Sequence, residues 1–150
     1  MYKTILVPLD GSALAESILP YVEELARLGD STVIFLQVVD LPHSVGIPKG
    51  NAFDAMTHMT TEEANQRVAE ALRYLDGLVE RLRAQGITAR SLVEYGPVVA
   101  TILRVAQEES ASLIALASHG RGGHGDVYYG SVATGVVQRV DRPLFIIRAQ

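Results

Sequence analysis

Eight residues in the last third of the chain concentrate the residue types that hold phosphate: Ser118-His119-Gly120-Arg121-Gly122-Gly123-His124-Gly125. Four of the eight are glycine. Glycine lets the backbone approach a ligand closely and turns N–H groups inward into an anion cradle. Just before them, Leu113 to Ala117 is a run of apolar and small residues, as expected of a strand buried on both faces. After them, Gly130-Ser131 opens a helical pattern of Val132, Val136, Val137 and Val140. A helix start at that point adds positive potential. Buried strand, glycine-rich turn and helix N-terminus are together a place to hold a phosphate.

Other chemistries fit these residues less well. Gly120 to Gly125 is literally G-x-G-x-x-G, with Asp141 as a loose later acid. A dinucleotide fingerprint needs that acid at the end of the second strand, whereas Asp141 precedes the next strand, and too little chain remains for a second nucleotide half. No G-x-x-x-x-G-K-[ST] and no G-x-S-x-G occurs, so neither a P-loop nor a nucleophile elbow is supported. Ser118, His119 and Asp10 contain the residue types of a triad, but neighbours at a strand end diverge. His43, His58, His119 and His124 lack the i,i+4 spacing of a zinc site and an accompanying carboxylate cluster, so they read as loop histidines. Met56 and Met59 read as loop anchors on the core. Asp10, at the end of the first strand, suits two jobs at once: accepting backbone N–H bonds in a turn, and meeting a ligand's polar group in a crevice.

The elements that must position these residues follow in order. Lys3 to Leu9 reads as a strand ending in Asp10-Gly11-Ser12, with Ser12 as the N-cap of the first helix. Leu14, Ile18, Val22 and Leu25 give that helix an inner face, Pro20 should bend it, and Gly29-Asp30 ends it. Thr32 to Val39 is the second strand. Asp40 to Thr60 reads as a loop carrying Pro42, Gly46, Pro48, Gly50 and Asn51, and Thr60-Thr61-Glu62-Glu63 as a capping box. A long amphipathic helix through Leu82 follows, with a Glu63–Arg67 pair on its wet face and Gly86 as C-cap. Thr88 to Tyr95 is a more polar strand, placed near a sheet edge. Val98, Val99, Ile102, Leu103 and Ala106 mark the next helix, and Leu144 to Ile147 the last strand. The alternation of strands and helices predicts one α/β domain over residues 1–150, a mostly parallel sheet with helices on both faces. Ligands of such sheets sit beyond the C-terminal strand ends where the strand order reverses.

Composition sets the outer limits. The 150 residues contain no cysteine, which excludes disulfides, thiolate metal sites and cysteine nucleophiles. A net charge of −4 argues against a nucleic-acid surface. No apolar run reaches the roughly 18 residues of a membrane span, and no secretory signal is visible, so a cytoplasmic protein is expected.

Three stretches together carry a family resemblance. Val7-Pro8-Leu9-Asp10-Gly11-Ser12, Leu36-Gln37-Val38-Val39-Asp40 and Ala117 to Ser131 resemble a universal stress protein of the ATP-binding type. That pattern runs G-x-x-G, nine residues, then G-[ST]. Gly120, Arg121 to Tyr129, and Gly130-Ser131 match it, while Ala117 stands at the first glycine. The resemblance implies a five-stranded parallel sheet of order 3-2-1-4-5, a Rossmann-like fold that binds ATP, with or without Mg²⁺. It further implies that Pro8, Asp10 and Val38 hold the adenine. Ala117, Ser118, His119, Gly120, Arg121, Gly122 and Gly123 would hold ribose and phosphates, and Gly130, Ser131, Val132 and Ala133 the outer phosphates. Alanine serves at 117 if the site needs a small side chain at a strand end rather than a positive φ.

The expected function is a nucleotide-dependent stress-response or regulatory module. Fast catalysis is not expected, because the lysine and acid pair of kinase chemistry are absent, although slow ATP hydrolysis is compatible with the sequence. The alternative is a dimeric interaction module of the same fold with an empty or remodelled pocket. A homodimer through Leu144-Phe145-Ile146-Ile147 is expected either way, because an apolar run at a sheet edge is a template for pairing.

Overall fold

The computed structural model describes residues 1–39, 51–119 and 130–149, with the side chains of 51–61 and 119 excepted. Its centre is a five-stranded parallel sheet of order β3-β2-β1-β4-β5, parallel as the sequence pattern predicts and in the order that the family resemblance implies. The strands are β1 (Thr4–Leu9), β2 (Thr32–Val39), β3 (Thr88–Tyr95), β4 (Leu113–His119) and β5 (Leu144–Ala149). Among the described residues five helices connect them: α1 (Ala13–Glu16), α2 (Leu19–Gly29), α3 (Asn51–Ala84), α4 (Val98–Glu108) and α5 (Ser131–Arg139).

Side-chain alternation sorts the interior into two cores, one on each sheet face. Ile5, Val7, Val33, Phe35, Leu113 and Ala115 join residues of α2 and α3 on one side. Leu6, Ile34, Leu36, Ile114 and Leu116 join residues of α4 and α5 on the other. Runs such as TILVPL and TVIFLQVV are apolar at nearly every position because both faces are covered.

Four expectations are corrected. The first helix is not one bent rod: α1 stops at Glu16 and α2 begins at Leu19, with Pro20 in its first turn, where a missing N–H costs nothing. The loop after β2 does not reach Thr60. Helix α3 already runs from Asn51, so Thr60 and Thr61 are interior and cap nothing. Pro42, Gly46, Pro48 and Gly50 all precede Asn51, and once a helix exists, extension fixes one residue per added hydrogen bond. Among the described residues no Glu63–Arg67 ion pair forms. Finally, β4 and β5 each continue two residues further than their apolar runs, because Ser118 and His119 pair in register with Arg148 and Ala149. The anchoring expected of Met56 and Met59 and the surroundings of His43, His58 and His124 lie outside the described residues.

Local capping agrees with the sequence at three points. Ser12 Oγ accepts the Ala15 N–H at 3.1 Å as the N-cap of α1. Asp30, after Gly29, takes the left-handed position closing α2, at φ 48°. Gly86, at φ +80°, lets the chain leave α3 while the Ile87 N–H reaches back to the Leu82 carbonyl at 3.0 Å.

Candidate functional site

The sheet opens at its centre. β1 pairs with β2 over six positions, from Thr4 to Leu9. Its ladder with β4 covers only Ile5 and Leu6. Strand β4 then keeps company with β5 over six positions, Ile114 to His119. The C-terminal halves of β1 and β4 therefore part at the point where the strand order reverses. Pro8, which has no N–H to donate, lies in that unpaired half, where the missing donor breaks no ladder.

A cleft of about 320 Å³ occupies the gap. Leu36, Ile102 and Leu116 form an apolar floor, and Val98 at the start of α4 closes one side. Pro8 and Asp10 come from β1 and its turn, Val38 from β2, Ala117 from β4, and Gly130, Val132 and Ala133 from the start of α5. Seven of the residues singled out in the sequence thus meet along one cavity.

The others are placed differently. Ser118 is buried, and its hydroxyl donates to the Ile147 carbonyl at 3.2 Å, tying β4 to β5 rather than facing the cleft. Ser131 lies beside the cleft in an adjoining groove with Pro97, Val98, Val99 and Arg139. The backbone of His119 closes β4, and its side chain lies outside the described residues, as do Gly120, Arg121, Gly122 and Gly123.

Asp10 performs the turn role expected of it. Its Oδ1 accepts the Ser12 N–H at 2.9 Å, fixing the β1–α1 turn with Gly11 at φ +84°. The side chain is exposed at the cleft mouth, so the turn holds a carboxylate at the rim. Ala117 is an ordinary strand residue and is not among the described residues at positive φ, so the site asks of it only a small side chain.

The N-terminus of α5 turns backbone donors toward the cleft. Gly130 is its N-cap and makes no side-chain cap hydrogen bond, so among the described residues no side chain caps the first-turn N–H groups. Those donors, with the helix dipole behind them, face the end of the cleft where Gly130, Val132 and Ala133 stand. Sequence reasoning missed the floor residues Leu36, Val98, Ile102 and Leu116. Their apolar character is visible in the sequence, but only the parting of β1 from β4 places a cleft against them.

The residues present fit an adenine nucleotide: an apolar floor for a flat base, a carboxylate at the rim, and uncapped backbone donors for phosphate. Among the described residues, no group of three histidine, aspartate or glutamate side chains could hold a metal.

This fold and its central cleft define an α/β protein of nucleotide-binding architecture. The universal stress protein family model matches residues 1–148, and the chain belongs to that family. Universal stress protein MJ0577 of Methanocaldococcus jannaschii is 25% identical over 158 residues, covering 99% of this chain and 96% of that protein. The solved structure of MJ0577 matches with a TM-score of 0.81 over 100% of this chain and 98% of that one. A universal stress protein in complex with cAMP shares the fold at 19% identity and a TM-score of 0.65, over 99% of this chain and 98% of that one. An Arabidopsis thaliana family protein with AMP bound does so at 14% identity and a TM-score of 0.64, over 99% and 92%.

Proposed function

We propose that this chain binds ATP in the cleft between β1 and β4 and acts as a nucleotide-dependent regulatory module. The observation that carries the reading is the convergence of Pro8, Asp10, Val38, Ala117, Gly130, Val132 and Ala133 on one cavity with an apolar floor and an uncapped helix end. The bound cAMP and AMP of two fold relatives support a purine nucleotide as the ligand class. The base lies on Leu36, Ile102 and Leu116, and the phosphates take the N–H groups of α5. In this reading binding is the primary activity and any ATP hydrolysis is slow.

The same module is proposed to work as a homodimer through β5. This strand pairs with β4 alone, at the edge of the sheet. Leu144, Phe145, Ile146 and Ile147 are only half-buried, so both faces of an apolar edge remain available to a second copy.

Titration calorimetry with ATP, with and without Mg²⁺, tests the reading. ATP should bind, and Ala133→Leu, which puts a branched side chain at the cleft end of α5, should abolish the heat. Absence of binding to ATP, ADP, AMP and cAMP at millimolar concentration would remove the proposal and leave a dimeric interaction module.

A further inference from the structure

A second cleft, of about 430 Å³, opens on the opposite face of β2. Residues of β2 alternate: Val33 and Phe35 point into the core shared with α3, while Ile34 and Leu36 point toward α4 and the nucleotide cleft. Gln37 follows the first set and Val38 the second, so the two clefts are separated by the sheet itself. Arg67, Glu70 and Tyr74 of α3 stand at i, i+3 and i+7, on one side of the helix, and line this second cleft with Gln37.

Polar groups of this cleft remain unspent. Gln37 Oε1 is buried without a hydrogen-bond partner. It is a group that a folded protein ordinarily satisfies. The buried Tyr74 phenol beside it is engaged by the Glu16 carboxylate, with the Asp10 charge acting on it as well. At the rim, Arg67 is exposed and makes no ion pair with another described residue. Glu70, also exposed, accepts only a long bond from Gln66 at 3.4 Å. The cleft therefore presents an unpartnered buried carbonyl, Gln37 Oε1, at its base, with the Arg67 guanidinium and the Glu70 carboxylate on its α3 wall.

We infer that this second cleft binds a small zwitterion of the α-amino acid class, its ammonium held by Gln37 Oε1 and Glu70 and its carboxylate by Arg67. A purely anionic ligand would leave the Gln37 carbonyl without a donor and would meet Glu70. A purely cationic one would meet Arg67. A zwitterion complements both ends, and an α-amino acid is the smallest common class that carries both charges on one carbon. Because Gln37 and Arg67 lie across the sheet from the nucleotide cleft, the inference stands independently of ATP binding.

The test uses the intact protein and calorimetric titration with glycine, L-serine, L-glutamate and L-lysine, each at millimolar concentration, with propylamine and propionate as single-charge controls. At least one amino acid should bind, and neither control should. Arg67→Gln and Gln37→Leu should each weaken that amino acid by at least about tenfold, the scale of one lost charge-assisted hydrogen bond. Gln37→Leu should keep or raise the melting temperature, because it removes a buried oxygen that has no partner. That second readout separates loss of a ligand from loss of the fold. ATP is titrated into the same preparations, so failure of either site is read without the other. No amino acid binding, or binding that survives both substitutions, would overturn the inference.

Discussion

Ser131→Ala separates two jobs that a serine at a helix start can do. Here the N-cap is Gly130, and Ser131 is the first helical residue, exposed and making no side-chain hydrogen bond within the described residues. A true cap serine is worth about 1 kcal/mol to the fold. Ser131 holds no such position, so its loss should change stability by less than about 0.5 kcal/mol, the range of ordinary surface substitutions. Against phosphate the hydroxyl would form a charge-assisted bond worth about 1.5–3 kcal/mol when well shielded. Because Ser131 is exposed, the lower end applies, which is about tenfold in Kd. Calorimetry on wild type and variant, with ATP and with adenosine, reads the difference, and thermal unfolding reads the fold. ATP should weaken about tenfold while adenosine and Tm stay put. Equal weakening of both ligands, or a Tm loss with unchanged ATP affinity, would refute the placement of phosphate at α5.

Three further outcomes can be measured. Arg142 Nη1 donates to the Ala106 and Ala111 carbonyls, both at 2.8 Å, where α4 leads into β4. Arg142→Met should therefore cost about 2 kcal/mol and lower Tm by roughly 5 °C in a scan. Burial first, then the Glu16 and Asp10 carboxylates, push the Tyr74 phenol up. The folded protein then holds that proton longer than the unfolded chain, so stability should fall as pH rises above about 10, and Tyr74→Phe should flatten that fall in urea melts. Light scattering should give a dimer for wild type, and Phe145→Lys or Ile146→Lys should yield folded monomer; a wild-type monomer at high micromolar concentration would remove the β5 interface.

Much of this architecture is legible in one sequence because its signals are local. Strands such as TILVPL and TVIFLQVV announce themselves by composition, and their alternation with helices leaves few parallel topologies. The polar strand Thr88–Tyr95 was placed near an edge for its composition, and β3 is an edge. The errors came where two local signals compete. Pro20 looks like a bend inside one helix, yet it sits in the first turn of a second one. Turn residues up to Gly50 made the following stretch read as loop, although Asn51 onward carries few of them and is helical. The cleft floor and the second cleft were illegible for a different reason. Gln37 is a visible oddity in an apolar strand, but its neighbours Arg67 and Tyr74 are some thirty residues away and meet it only once α3 folds over β2.

The parting of β1 from β4 explains why one short segment, residues 8 to 12, recurs throughout the site. A ladder continued past Leu6 would draw the ends of β1 and β4 together and close the cavity. Pro8 withholds a donor there without disturbing the pairing to β2, which continues to Leu9. The chain must then turn within three residues to start α1. Gly11 supplies the positive φ, Asp10 accepts the Ser12 N–H, and Ser12 caps the helix. Each of these is a local backbone solution, yet their sum is functional. The turn lies across the end of the gap, with Asp10 at the rim of one cleft and Gly11 at the wall of the other. Val38 likewise borders both cavities. A ligand that shifts this turn or the tip of β2 therefore changes the wall of the second cavity. Whatever factor one ligand contributes to the other's affinity through this shared wall, the reverse factor is the same, whichever is added first.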